Sequence, residues 1–480
     1  FYNLPSNIFL GEWISRLKKN SVDVIPLINA VTPVKKVDHV RNTKWSDDAI
    51  GHFFCNGNDL QNSGTMTALF SSVHSIGHAG GYFVTPENFE KVAAQLVDNN
   101  TSIDAVQLVP AALLFEDEML KETPTKGVFN DTECLCFNGQ PDLLASIFYM
   151  LSRMEEYQSI QTDALERFQA SASVAFAHNW LQVPICDVWS EALIRYLEEA
   201  LNQELQAQKP RFHFQATFDI DNTFAYAHKN TIRTFFANCK DVIYRRSERV
   251  MDRKMVRKGT KTDPYDTFDQ IAELAQHFPD TKVFWLLGNY TKLDKNLSHL
   301  NLPQQDKIRQ IAAHAEIGIH GSSLTQHSYQ QLEIEIQRLE QISGYRPHSN
   351  RQHFLLMSLP NTYLQLLKAG ITHDYTMGYA EETGFRAGTA RTFKWFDLRR
   401  NEVTQLNIQP FAYMDGTLLE YLKLSPSEAI HRIENLFAVV QKYGGTFSFL
   451  WHNETISGYQ HWAAYQEVFK ATFVINQKQS

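Results

Sequence analysis

The sequence predicts an α/β protein: a distorted (β/α) barrel over residues 211–480, preceded by an α+β domain over residues 1–205. Two observations carry this. In the second half, apolar runs beginning near Phe212, Lys282, Glu316 and Thr446 alternate with amphipathic segments over 264–278, 328–343, 361–369 and 425–442. Alternation of this kind implies a mostly parallel sheet with helical crossovers, and a length of about 270 residues suits a barrel. Between the halves, the polar run from Asn202 to Lys209 ends in Pro210 just ahead of the first apolar run, which marks a domain boundary.

In the first half, short strand-like runs mix with helices. Asp142 to Tyr157 reads as one helix, apolar enough to be central to a core. Val188 to Leu201 reads as another, with Trp189, Leu193, Tyr196, Leu197 and Leu201 at helical spacing. His74 and His78 stand four apart, but Gly77 and the Gly80-Gly81 pair speak against a helix, and lone histidines of this kind are ordinary surface or core residues. In the second half, Phe212 to Ile220 is an apolar, aromatic run that reads as a buried strand. The segment at 425–442 opens Ser425-Pro426-Ser427-Glu428, with Ser at the N-cap, Pro in the first turn and Glu at the third helical position. From Lys240 to Lys261, nine Lys/Arg stand against Asp241, Glu248 and Asp252. Such a segment can steer an anionic polymer or lie on a membrane surface; the expected reading is a solvated helix connecting two strands.

Composition narrows the function classes. A hydrophobic content of 43% supports ordinary packed cores, and a net charge of −8 argues against general nucleic-acid binding. An aromatic content of 12% suits cores and also carbohydrate clefts. The five cysteines, Cys55, Cys134, Cys136, Cys186 and Cys239, are odd in number and dispersed, so no disulfide framework is expected. No apolar run approaches the roughly 18 residues that cross a membrane. The opening Phe1-Tyr2-Asn3-Leu4-Pro5 shows neither the basic nor the apolar part of a signal peptide. Together these lead us to expect reduced cysteines in a cytoplasmic protein.

The chemistry concentrates where apolar runs stop. Asp219 and Asp221 close the first run, and their spacing puts them on one side of a strand. Taken alone they read as turn or cap residues. His320 ends the run from Glu316, and His452 ends the run from Thr446. Two aspartates and two histidines, each at a strand end, suit a site ringing the C-terminal face of a sheet. Like-charged carboxylates at such a place call for a cation or a shared proton between them.

The ordered set Thr217-Phe218-Asp219, His320-Gly321-Ser322-Ser323, Arg351-Gln352-His353-Phe354 and Leu450-Trp451-His452 resembles the NodB-homology polysaccharide deacetylases, carbohydrate esterase family four. Their motifs run TFDD, H-(S/T)-x-x-H, R-x-P-Y and L-x-H in the same order. The second half is more closely similar to a divergent bacterial branch of that superfamily. Its features are D-x-D, G-hydrophobic-H-x-S, R-Q-H-aromatic, G-F-R-A-G and W-H-N. Here they stand as Asp219-Ile220-Asp221, Gly318-Ile319-His320-Gly321-Ser322, Arg351-Gln352-His353-Phe354, Gly384-Phe385-Arg386-Ala387-Gly388 and Trp451-His452-Asn453. The stretch Ser146 to Tyr157 looks like the uncharacterised domain that precedes the catalytic domain in that branch.

The resemblance implies a barrel of the polysaccharide deacetylase type and metal-dependent hydrolysis of a non-peptide C–N bond. The implied substrate is an N-acetylated glycan or oligosaccharide, and the implied metal is zinc, with cobalt or nickel as alternatives. Asp219 matches the general base, His452 the general acid, and Arg351 the residue that orients the base. Asp221 and His320 match metal ligands, and Leu450 lies where the family has its acetate pocket. The family's second ligand histidine falls at Leu324. His327, His353 or Asp219 can complete the set; His353 is preferred because it lies in a motif-like segment. Arg386 offers a cationic fork to a substrate carboxylate or phosphate, or else an ion pair with Asp374 or Asp415. Trp395 and Trp451 either stack on sugar rings or fill the core. The alternatives are a small-molecule C–N hydrolase and a non-catalytic glycan-binding relative. Leu324 favours the latter, and the joint presence of Asp219, Asp221, His320 and His452 speaks against it.

Overall fold

A computed structural model describes three strands, β1 (Met66–Val73), β2 (His78–Val84) and β3 (Thr101–Leu108), then residues 122–158, 161–201 and 210–477, with Leu113 and Leu120. β1 pairs antiparallel with both β2 and β3. His78 thus opens a strand, whereas His74 and Cys55 lie outside the described residues. A second small antiparallel sheet is formed by β4 (Thr125–Phe129), β5 (Thr132–Phe137) and β6 (Gln140–Pro141). The helix expected over Asp142 to Tyr157 is two helices, α1 (Leu143–Ser152) and α2 (Met154–Gln158). The Asp142 carboxylate caps α1 by accepting from the Leu144 and Ala145 N–H groups. Arg153, with φ 54°, ends α1 in a left-handed turn that brings its guanidinium to Glu155 and Glu156, 2.7 Å from each. α3 follows over Ile185–Leu201.

The second half builds one sheet from β7 (Phe212–Ile220), β8 (Lys282–Trp285), β9 (Glu316–Gly321), β10 (Ser349–Gln352), β11 (His373–Asp374), β12 (Phe393–Asp397), β13 (Glu402–Ile408) and β14 (Gly445–His452). Its order is β12-β13-β11-β10-β9-β8-β7-β14. All pairs are parallel except the edge pair β12–β13. The four expected strands are present. β10 to β13 were not foreseen, because two are short and polar and two form a hairpin with no crossover helix between them. The crossovers carry α4 (Thr231–Ile243), α5 (Ser247–Arg257), α6 (Phe268–His277), α7 (Leu302–Ala312), α8 (Tyr329–Ser343), α9 (Asn361–Lys368) and α10 (Pro426–Tyr443), and α11 (Gln466–Gln477) follows β14. The capping box of α10 forms as the sequence predicts, with the Ser425 and Glu428 side chains each bonded to the other's backbone N–H.

The sheet curls toward closure without completing a ladder between its edges. Along the free edge of β14, Leu450 N–H donates to the Tyr413 carbonyl at 3.0 Å and Ala412 N–H to the Ser448 carbonyl at 2.8 Å; Thr446 N–H donates to the Ala390 carbonyl at 2.9 Å. Irregular chain next to β12 and β13 therefore takes the place of a closing strand pair. The expected barrel is an eight-stranded curled sheet rather than a regular eightfold repeat.

The two halves share one apolar core. Phe148 of α1 meets Phe396 of β12 edge to face at 5.1 Å, and Phe385 N–H donates to the Leu181 carbonyl at 2.8 Å. Gly384, with φ +115°, is required at this seam, since a Cβ there would stand 2.1 Å from the Leu181 oxygen.

Candidate metal centre

Strand alternation aims the site. On β7, Thr217 and Asp219 face the inside of the curled sheet, with Asp221 just beyond, while Phe218 packs outward against Phe469 of α11. On β14, Leu450 and His452 reach the cleft, and Trp451 points the other way. His320, one residue before the end of β9, stands beside Arg351 of β10 in register. Gly318, two residues before His320, leaves the space that the Phe284 ring fills.

Asp221, His320 and His353 come together, their ligand atoms all within 4.8 Å of one another. Asp221 Oδ1 lies 3.2 Å from His320 Nε2, and Asp221 Oδ2 lies 3.3 Å from His353 Nε2. His320 Nδ1 is 2.8 Å from the Arg351 carbonyl, and His353 Nδ1 is 2.7 Å from Asp294 Oδ1. Each Nδ1 must carry its proton to serve those acceptors, so each neutral ring turns an Nε2 lone pair toward the Asp221 carboxylate. Lone pairs facing a carboxylate need a proton or a cation between them. Asp221 Oδ1 is moreover buried with no hydrogen-bond partner, since its approach to His320 is close but off-line. One carboxylate and two imidazoles, each oriented from behind, are a donor set that fits a divalent ion such as zinc.

Electrostatics agree with this geometry. Burial alone would raise the Asp221 pKa, but His353 and His320 hold it well below the usual carboxylate range. Burial would lower that of His353, and Asp221 and Asp294 instead raise it to about 9. Burial would likewise raise that of Asp294, but bonds from His353 and Ser323 hold it at about 2.

Beside this cluster, Asp219 Oδ1 accepts from Arg351 Nη1 at 2.9 Å, and the same nitrogen also bonds Thr217 Oγ1 at 2.8 Å. Asp219 Oδ2 is 3.6 Å from His320 Nε2. His452 Nδ1 is 2.8 Å from Asp415 Oδ1, and Asp415 Oδ2 accepts the His452 N–H at 2.8 Å. Burial would lower the His452 pKa, but Asp415, Asp221 and Asp219 hold it well above the ordinary imidazole value.

One cleft is lined by Asp219, Asp221, His320, His353, Leu450 and His452, six of the nine residues the sequence singled out. Arg351 stands just behind, fully buried under Asp219. Two expectations are corrected. Arg386 is 2% exposed and bonds Glu156 of α2 at 2.6 and 2.9 Å, so it reaches neither a substrate nor Asp374 or Asp415. Trp451 is wholly buried against Phe469, with its Nε1–H near the Tyr413 hydroxyl, and Trp395 is buried against Tyr363. Trp462 is the tryptophan that lines the cleft. His327 is exposed near Glu166, away from the cluster, and the Leu324 side chain points outward at 42% exposure.

Four cleft or supporting residues escaped the sequence reading. Asp294 orients His353 from a loop, where a lone Asp reads as a turn, and Asp415 orients His452 from the start of a short helical segment. Glu454 directly follows the Trp451-His452-Asn453 segment, a position that was itself a signal. Burial and the nearby Asp221 raise its pKa to about 7. Arg167, from the first half of the chain, reaches the rim, where Nη1 donates to the Phe354 carbonyl at 2.9 Å.

Residues 70–202 match a sequence family of unknown function, DUF7033. No curated protein matches the chain. Among solved structures, the chain is similar to one from Mycobacterium smegmatis provisionally described as a polysaccharide deacetylase. That likeness has 15% identity over 55% of this chain and 84% of the other, with a TM-score of 0.36, too slight to carry an argument.

Proposed function

We propose that this protein is a metal-dependent hydrolase of a non-peptide C–N bond, acting as an N-deacetylase of an acetylated glycan. The single observation that carries the reading is the Asp221–His320–His353 cluster set in one cleft with Asp219 and His452. Asp221, His320 and His353 hold the ion, zinc by preference with cobalt or nickel as substitutes. When bound, a divalent ion polarises the amide carbonyl and acidifies water. Asp219, fixed by the Arg351 bond, takes the proton of the attacking water. His452, kept cationic and oriented by Asp415, gives a proton to the departing amine, which lets the C–N bond break. Leu450 supplies the apolar wall expected of an acetyl pocket.

His353 supplies the ligand that Leu324 removes, which speaks against a decayed binding protein. Two domains, 1–205 and 211–480, are part of this proposal, supported by a family match that ends ahead of Pro210. The test is metal content of the purified chain together with acetate release from N-acetylated oligosaccharides. About one equivalent of metal, lost in His320→Ala and Asp221→Ala, and acetate release abolished in Asp219→Asn support the reading. A wild-type chain that holds no zinc, cobalt or nickel after reconstitution sinks it.

A further inference from the structure

The crossover after β7 carries an amphipathic helix turned inside out. Ile232, Phe235, Phe236, Cys239, Val242 and Ile243 recur at three- and four-residue steps and form one stripe along α4. Such a stripe ordinarily packs on a core. Here it faces outward, with Ile232 exposed at 70%, Phe236 at 66% and Ile243 at 76%. The opposite face of α4 is polar and turned inward. Asp241 is buried and bonds Arg253 of α5 at 2.5 Å, and Arg253 also bonds Asn238 and lies over the Tyr226 ring at 5.0 Å. These polar contacts pin the α4–α5 hairpin, so the outward stripe is its fixed orientation. The expected single solvated helix is corrected accordingly.

Tyr244 in the turn, Met251 on α5 and Tyr290 on a neighbouring loop are each more than half exposed as well. Arg233 ties that loop to α4 through the Lys295 carbonyl and its stacking on Tyr290. The same hairpin also exposes the cations Lys240, Arg245, Arg246, Lys254, Arg257 and Lys258. The segment from Lys240 to Lys261 has nine basic residues against three acidic ones, net +6, in a chain of net −8. The hairpin is also rooted at the cleft end of the sheet, since it follows Asp221 within the β7–β8 crossover.

We infer that the α4–α5 hairpin docks the protein on an anionic lipid surface, with the stripe in the acyl–headgroup boundary and the cations on the headgroups. A soluble polyanion engages the cations but leaves the aliphatic and aromatic groups in water. A second copy of this hairpin covers the apolar groups but brings two net-positive segments together. An anionic membrane satisfies both features at once. The inference does not rest on the chemistry assigned to the cleft.

The experiment is vesicle sedimentation of the full chain, using phosphatidylcholine vesicles and vesicles of phosphatidylcholine and phosphatidylglycerol in equal parts. The chain is expected to sediment with the mixed vesicles, to stay in solution with phosphatidylcholine alone, and to be released by high salt. The triple variant Phe235→Ser/Phe236→Ser/Ile243→Ser and the triple variant Arg245→Gln/Arg246→Gln/Lys258→Gln each lower the partition ratio about tenfold or more. Both are to melt as the wild type does, because every substituted side chain is exposed. A wild-type chain that stays in solution with both vesicles overturns the inference, as does equal binding to the two. Retention on heparin without vesicle binding, lost only in the charge variant, assigns the surface to a polyanion instead. A dimer that only the apolar variant dissolves, with no vesicle binding, assigns it to a second copy.

Discussion

Replacing Asp294 probes the proposed metal centre from outside its proposed ligands. Asp294 is fully buried; its Oδ1 accepts the His353 Nδ1–H at 2.7 Å and the Ser323 N–H at 3.1 Å, and its Oδ2 accepts from Thr291 and Ser323 hydroxyls. It therefore fixes the His353 tautomer that turns the Nε2 lone pair to Asp221, and its charge makes that nitrogen a better donor. Loss of such a partner costs about 10–100-fold in metal affinity, which is about 1.4–2.7 kcal/mol. Asp294→Asn keeps an oxygen for His353 but loses the charge and turns an NH2 toward the Thr291 and Ser323 hydroxyls, so about tenfold is expected. Asp294→Ala removes the acceptor as well, so about 100-fold is expected, with some loss of stability from the donors left unpaired. The assay is competition for zinc with a chromophoric chelator of known affinity at fixed pH, alongside thermal melts. An Asp294→Ala chain that melts cooperatively and binds zinc as tightly as wild type would refute the reasoning, because His353 would then not be a ligand held from behind.

Four further outcomes follow from the same structure. In the metal-free protein the His353 pKa is raised to about 9, so zinc must displace a proton below that pH. Apparent affinity should rise about tenfold per pH unit between pH 7 and pH 9 and then level off, and a flat profile contradicts the assignment. The same raised pKa stabilises the metal-free fold fully below the unfolded value of about 6.5, and that stabilisation is lost as pH rises through about 9. Thermal melts of the metal-free chain should fall across that interval. Arg351→Met leaves Asp219 buried without its cation and should lower unfolding free energy by about 3–5 kcal/mol in urea titration; a loss below about 1 kcal/mol contradicts the pairing. Arg386→Met removes one of the two guanidinium partners of buried Glu156, with Arg153 still 2.7 Å away, and should cost about 1.5–3 kcal/mol while leaving zinc affinity unchanged. An Arg386→Met chain of native stability that binds substrate poorly would return Arg386 to the substrate.

Much of the site was legible because strand periodicity and motif order are local properties. A polar residue that closes an apolar run sits at or next to a strand end wherever that strand lies in the sheet, and Asp219, Asp221, His320 and His452 all obey this. His353, the proposed third ligand, was legible only as a preference among three candidates, since its ring had to be brought across from β10 to the end of β7. Arg386 and Trp451 were misread because sequence does not say which side of the chain is covered. Glu156, 230 positions away in sequence, claims Arg386, and one step of alternation on β14 separates cleft-facing His452 from core-facing Trp451.

The sequence by itself determined the alternating architecture, the α10 cap and the four polar residues at strand ends, all set by spacing along the chain. Only the tertiary structure decided that Asp294 and Asp415 stand behind the histidines and that irregular chain closes the sheet beside β14. It alone turned the apolar stripe of α4 outward. Those outcomes depend on which distant backbone and charge arrive at a given place, and free energies of pairing across the fold carry no mark in local sequence.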